Sequence, residues 1–105
     1  MTLNITGQDV EATSEQILKV VHNEDYRGVF FILSEGQKAQ QFIQAMGPND
    51  DFHVEYRDGA STDNHYVCKK KLTCAELESL CLKYLDGDLN AVKAFEWCTL
   101  AEFKS

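Results

Sequence analysis

The sequence predicts a single α+β domain in which two main α-helices pack on a mostly antiparallel β-sheet of about five to six strands. Three observations predict this class. The 105 residues suffice for one domain with a modest core. Short apolar or alternating runs, separated by turns rich in Gly and Asp, are typical of strands. Two segments carry apolar residues at helical spacing. Residues 1–105 therefore form one domain, with the approximate element order ββ-α-ββββ-α-β.

The first part of the chain predicts a short strand pair followed by a helix. Residues 3–5 and 9–12 are the candidate strands. Thr13 or Ser14 is a suitable helix N-cap, and apolar residues follow from Ile17 at helical spacing. We expect this helix to end near Asn23.

The middle of the chain predicts four strands. Residues 28–33 are continuously apolar, which favours a central strand buried on both faces. Residues 41–46 form the next candidate. Alternation on both sides of a polar turn containing Gly59 predicts a hairpin with strands near 52–57 and 63–69.

The last part of the chain predicts a helix and one more strand. Thr73 and Glu76 form a capping box at the start of this helix. One apolar stripe follows, made of Leu77, Leu80, Cys81, Tyr84 and Leu85. Gly87 is a natural left-handed helix end. Residues 90–93 suit one helical turn and residues 95–97 a final strand. The large aromatic side chains are expected in the core or at its edge: Tyr56, Tyr66, Tyr84, Phe95 and Trp97.

Several functional classes lack their sequence signals. The glycines form no phosphate loop or dinucleotide fingerprint, and no serine lies in a nucleophile elbow. No apolar run approaches the roughly 18–20 residues of a membrane span, and the N-terminus lacks a signal-peptide pattern. The four cysteines form no CxxC pair, and in a reducing cytosol we expect them to be free thiols. These features predict a cytoplasmic protein without a cofactor, a resident metal or a membrane partner.

The charge is negative and unevenly distributed. The net charge of −7 resides in residues 1–67, which hold eleven acids against four bases. This charge opposes direct binding of nucleic acid and attracts basic partners, although it also suffices as a simple solubility device. Acids on rigid turns can contact the Arg and Lys residues of a partner. The candidate partner-binding residues are Glu24, Asp25, Asp50, Asp51, Glu55, Asp58 and Asp63.

Two other functions remain open. His53 and Glu55 share one face of the hairpin, and His65 lies across from them if the strand register allows. Such a cluster suits a small metal-binding or hydrolytic domain. Alternatively, an exposed strand edge at 63–69 suits a generic sheet-based interaction module.

The order of several short motifs resembles the small immunity proteins of bacterial polymorphic-toxin and contact-dependent growth inhibition systems. The resemblance spans residues 28–97 and rests on residues 42–44, on Phe-His-Val-Glu-Tyr-Arg-Asp-Gly at 52–59, on His65-Tyr66, on residues 84–88, and on Phe95-Glu96-Trp97. Each motif is short, so their order and spacing carry the resemblance.

The resemblance implies an inhibitor and not an enzyme. Such a protein binds the C-terminal domain of a cognate secreted toxin and covers its active site or substrate path. The negative charge suits a basic nuclease as that toxin, with an RNase favoured. We expect a monomer, and a dimer stays open.

Overall fold

The computed structural model describes residues 1–22, 29–35, 40–48 and 50–104. The elements in these ranges are β1 (Thr2–Ile5), β2 (Gln8–Glu11), α1 (Ser14–Val21), β3 (Val29–Ser34), β4 (Gln41–Gly47), β5 (His53–Asp58), a 3-10 turn (Thr62–Asn64), β6 (His65–Cys68), α2 (Cys74–Leu85), α3 (Leu89–Lys93), β7 (Trp97–Thr99) and α4 (Leu100–Lys104). The Cα radius of gyration is 12.7 Å, close to the value of about 13 Å for one domain of this length.

The strands form one open sheet in the order β2-β1-β3-β4-β5-β6-β7. Every neighbouring pair is antiparallel. The predicted α+β class and antiparallel sheet are confirmed. The sheet has seven strands instead of the five to six predicted, because both the first strand pair and the final short strand join it.

One face of the sheet carries the core. Strand alternation places Leu33, Ile43 and Tyr56 on this face, where Leu33 pairs with Ile43 and Ile43 with Tyr56. Helices α1 and α2 cover it with apolar side chains that are almost completely buried: Ile17, Val20, Val21, Leu77, Leu80, Cys81 and Tyr84. We call this surface the helix-covered face.

The helix ends follow the predicted local chemistry. The Thr13 hydroxyl accepts a hydrogen bond from the Gln16 backbone N–H at the start of α1. Thr73 and Glu76 form both bonds of the capping box at the start of α2. Gly87 has φ +77° and follows the end of α2, as predicted.

The opposite surface, which we call the second face, is only partly covered. Helix α4 crosses it, and the Phe103 ring lies 5.6 Å from the His53 ring. A Thr99–Glu102 capping box begins this helix, since the Thr99 hydroxyl accepts from the Glu102 N–H and the Glu102 carboxylate accepts from the Thr99 N–H.

Three predictions about the strands need correction. Residues 63–69 are not a sheet edge, because β7 pairs with β6 through Val67 and Cys98. The two edges among the described strands are β2 and β7. Strand β3 is interior, but Phe30 and Ile32 on the second face are only half-buried because α1 and α2 cover the other face. The last strand lies two residues later than predicted, and α4 follows it.

The structure also bears on two further predictions, the lack of a membrane span and the state of the cysteines. In the described ranges no helix combines the length and apolar character needed to cross a membrane. All four cysteines are free thiols, as expected; Cys68 and Cys81 are buried, and Cys74 and Cys98 are half-buried.

Candidate functional site

Strand β5 places a polar row on the second face. His53, Glu55 and Arg57 alternate with the buried residues Val54 and Tyr56. The register sets His65 of β6 directly across from Arg57 and one diagonal step from Glu55. The sequence left the position of His65 open, and this register brings it to the predicted cluster.

The cluster consists of one carboxylate between two imidazoles. His53 Nε2 lies 2.9 Å from Glu55 Oε2, and His65 Nε2 lies 2.5 Å from Glu55 Oε1. The side chains are 27% (His53), 16% (Glu55) and 15% (His65) exposed, so each is partly shielded from water. The Phe42 ring meets the His65 ring edge-on at 6.3 Å. We call these three residues the His–Glu–His cluster.

Electrostatics within this cluster favour the charged form of Glu55. Burial acts to raise the pKa of its carboxyl group. The hydrogen bonds from His53 and His65, together with the positive charges those rings can carry, outweigh burial and lower the pKa below its ordinary value of 4.5. Glu55 is therefore an ionised acceptor at neutral pH.

The hydrogen bonds also limit what the cluster can do. Both imidazole Nε2 atoms are directed at the Glu55 carboxylate, so a metal would have to bind the Nδ1 atoms of the rings or displace Glu55 from Nε2. Among the described residues no group of three or more His, Cys, Asp or Glu side chains is arranged to hold a metal ion. The geometry suits proton exchange between a carboxylate and an imidazole. Arg57 does not join it, because its guanidinium donates to the carbonyl oxygens of Gly59 and Ala60.

The predicted acidic residues fall into separate places. Asp50 and Asp51 precede β5, whereas Asp58 ends it and Asp63 lies in the following 3-10 turn. Seven residues of extended chain at about 3.3 Å each separate Asp51 from Asp58 by roughly 23 Å. Glu55 lies between them on the second face. Glu24 and Asp25 lie outside the described residues.

Besides Glu55, three of these acids have partners within the chain. Asp50 accepts a hydrogen bond from the Cys74 N–H at 2.9 Å, and Asp51 lies 3.6 Å from Lys71. Asp58 accepts from the Gln41 side chain at 3.1 Å and lies 4.0 Å from Lys93. Asp63 is exposed. The acids thus form two small groups at opposite ends of β5, and not one continuous surface.

A pocket on the helix-covered face was not predicted. It has a volume of about 320 Å³ and is lined by Tyr56, Asp58, Tyr66, Lys93 and Trp97. The sequence predicts its three aromatic residues in the core or at its edge. One feature of the sequence could have indicated this pocket. Asp58 follows Tyr56 by two residues on a strand, which puts a carboxylate on the same face as the aromatic side chains.

In comparisons with protein-family models, curated proteins and solved structures, nothing matches this chain. We therefore infer its function from its own residues and their geometry.

Proposed function

We propose that this protein is an immunity protein that acts by binding a secreted toxin domain in the cytoplasm of the producing cell. The toxin would be a basic nuclease, with an RNase as the first candidate. Inhibition would follow from covering the toxin's active site or substrate path.

The distribution of charge carries the proposal. The excess acid lies in residues 1–67, whereas residues 68–105 are neutral. Several lysines of the second part are already close to acids of this chain, as in Lys70–Glu76 at 2.9 Å and Lys71–Asp51 at 3.6 Å. A basic partner would therefore meet a net negative surface, and long-range attraction would accelerate its association.

The motifs that resemble immunity proteins support the proposal, and several of their residues lie in the core of the fold. Phe52, Val54, Tyr56 and Tyr84 belong to these motifs and are at most 2% exposed. In this chain these motif residues therefore belong to the core. Their order does not identify the toxin, since partner specificity would depend on exposed residues.

A growth assay tests the proposal. The toxic C-terminal domain encoded immediately upstream would be expressed with this protein, with an unrelated acidic protein, or alone, and surviving cells would be counted. We expect the cells to survive only when this protein is expressed together with the toxic domain. A toxic domain that kills equally in all three strains would refute this pairing.

The two separate acidic groups allow a sharper form of the assay. Asp50→Asn with Asp51→Asn neutralises one end of β5, and Asp58→Asn with Asp63→Asn neutralises the other. Each pair removes the same charge, so each controls for the other. Weaker rescue by one double variant would identify the end of β5 that faces the toxin. Full rescue by both double variants would show that these acids do not contribute to toxin binding.

The His–Glu–His cluster favours a second candidate, a small hydrolytic domain. The specific observation is that a lowered-pKa carboxylate contacts two imidazoles at hydrogen-bonding distance. Purified protein would be incubated with single-stranded RNA and DNA, and Glu55→Gln would be the matched variant. Cleavage by the natural protein that the variant lacks would favour this candidate. Equal, background cleavage by both would exclude it for these substrates, and metal analysis of untagged protein would test the metal-binding form.

A further inference from the structure

The pocket on the helix-covered face combines three aromatic rings with one carboxylate. All three rings line the pocket; Tyr56 is 2% exposed, while Tyr66 and Trp97 are half-buried. The Tyr56 ring stacks against Tyr66 at 6.0 Å and lies 5.6 Å from Trp97. Asp58 supplies the carboxylate. Such rings present negative π-faces, which attract cations.

The backbone fixes these groups relative to one another. Tyr66 is the register partner of Tyr56, and Asp58 follows Tyr56 by two residues on the same face. The Trp97 indole N–H donates to the Val92 carbonyl oxygen at 2.8 Å, which ties the ring to α3. The pocket is therefore a preformed part of the fold, and a ligand would not have to order it.

The charge of Asp58 acts on the tyrosine side chains at this pocket. Burial first, and then the charge of Asp58, raise the pKa of Tyr56 to about 12, with Glu35 acting in the same direction. Burial also raises the pKa of Tyr84, and Glu35 and Asp58 add to this effect. Burial is the largest cause of both shifts, and the nearby carboxylate charges add to it.

The ion pair between Lys93 and Asp58 in this pocket is weak. Lys93 Nζ lies 4.0 Å from Asp58, at the limit of an ion pair, and the two side chains are 57% and 33% exposed. Exposed pairs of this kind contribute little because water and side-chain entropy compete with them. A stronger cation could therefore replace Lys93 at Asp58.

We propose that this pocket binds the guanidinium group of an arginine side chain, which displaces Lys93, stacks on Tyr66 and Trp97, and pairs with Asp58. A guanidinium is planar, stacks on aromatic faces and forms two hydrogen bonds to one carboxylate, which an ammonium group does not. The volume of about 320 Å³ lies at the small end of ligand sites and suits one side chain. That this arginine belongs to the basic toxin domain is the part that rests on the proposed function.

The only Trp of the chain, Trp97, lines this pocket, so its fluorescence reports occupancy directly. The protein would be titrated with Nα-acetyl-arginine amide and, as a neutral probe of the same shape, with Nα-acetyl-citrulline amide. We expect a saturable change with the arginine amide, half-complete at about 1–10 mM, and none with the citrulline amide. Equal responses to the two probes, or no saturable response, would overturn the proposal.

Four variants assign the binding to these residues. Asp58→Asn should weaken the arginine amide about tenfold through loss of the charged partner. Tyr66→Leu should weaken it about threefold through loss of one π-face. Lys93→Gln should strengthen it about twofold to threefold because the competing cation is gone. Glu11→Gln, which neutralises an exposed acid of β2 outside the pocket lining, is the control and should leave the affinity unchanged.

The outcomes separate this inference from the proposed function. The titration contains no toxin, so an Asp58→Asn affinity equal to that of the natural protein would refute the pocket whatever the growth assay shows. If the amide binds as expected but the growth assay gives no rescue, the pocket stands and the toxin is not the source of the arginine.

Discussion

Replacing Glu55 by Gln should destabilise the fold by about 1.5 kcal/mol at pH 7. The carboxylate accepts hydrogen bonds from His53 and His65, at 2.9 and 2.5 Å. A Gln amide is neutral and has one acceptor oxygen, so one of the two bonds is lost and the other is no longer charge-assisted. Such a bond contributes about 1.5–3 kcal/mol, and the partial exposure of the cluster favours the lower end. The corresponding decrease in Tm is about 6–12 °C for a domain of this size.

The effect should depend on pH in a defined direction. The folded protein lowers the pKa of Glu55 below 4.5, so near that pH the folded state binds fewer protons than the unfolded chain. The stabilisation is therefore complete above pH 4.5 and decreases as the pH falls through the lowered folded-state pKa. Urea unfolding at pH 7 and at pH 3.5 should show a smaller difference between Glu55→Gln and the natural protein at the acidic pH.

Glu78→Gln is the matched control. Glu78 contacts His22 at 2.6 Å, but these side chains are 31% and 45% exposed. Because solvent screens an exposed pair, this change should cost at most about 0.5 kcal/mol. Equal costs for Glu55→Gln and Glu78→Gln, or a difference from the natural protein that does not shrink at pH 3.5, would refute the reasoning.

Three further predictions concern the scaffold. Thr73→Ala removes the side-chain bond of the α2 capping box and should cost about 1 kcal/mol in urea unfolding; no change would show that the cap is dispensable. Gly47→Ala should cost at least about 2 kcal/mol, because its Cβ would lie 2.7 Å from a backbone carbonyl oxygen at φ +131°. Gly87→Ala meets no atom within 4 Å and should cost about 1 kcal/mol, so equal effects of the two substitutions would contradict this ranking. Burial raises the pKa of the Cys81 thiol to about 12. In pulse alkylation followed by mass spectrometry, Cys81 should therefore be labelled only after unfolding, whereas the half-buried Cys98 should react earlier. Labelling of both cysteines at the same time would contradict this prediction.

Local chemistry made much of the fold predictable. The capping box at Thr73 and the left-handed end at Gly87 fixed the limits of α2, because each motif satisfies backbone groups within a few residues. The hairpin was equally local. Helix α4 was missed although Thr99 and Glu102 form the same kind of capping box. The sequence carries this signal, which lies just beyond residues 95–97, the last element that the apolar pattern predicts.

The long-range features could not be read in the same way. Periodicity placed His53 and Glu55 on one face, but only the register of β5 with β6 brings His65 to them. The predicted sheet edge at 63–69 was wrong for the same reason. Strand β7 pairs with β6 across about thirty residues of sequence, and local patterns do not show such a pairing. The aromatic pocket depends on that pairing too, which is why Tyr66 and Trp97 looked like simple core residues.

Stoichiometric inhibition tests the central claim most directly. The purified upstream-encoded toxin domain, a nuclease under this account, would be mixed with increasing amounts of this protein, and its nuclease activity measured at each ratio. The account predicts that activity falls linearly to zero at one equivalent, as expected for a complex with a dissociation constant of about 10 nM or tighter assayed at higher concentrations. Full activity in the presence of a large excess of this protein would contradict it.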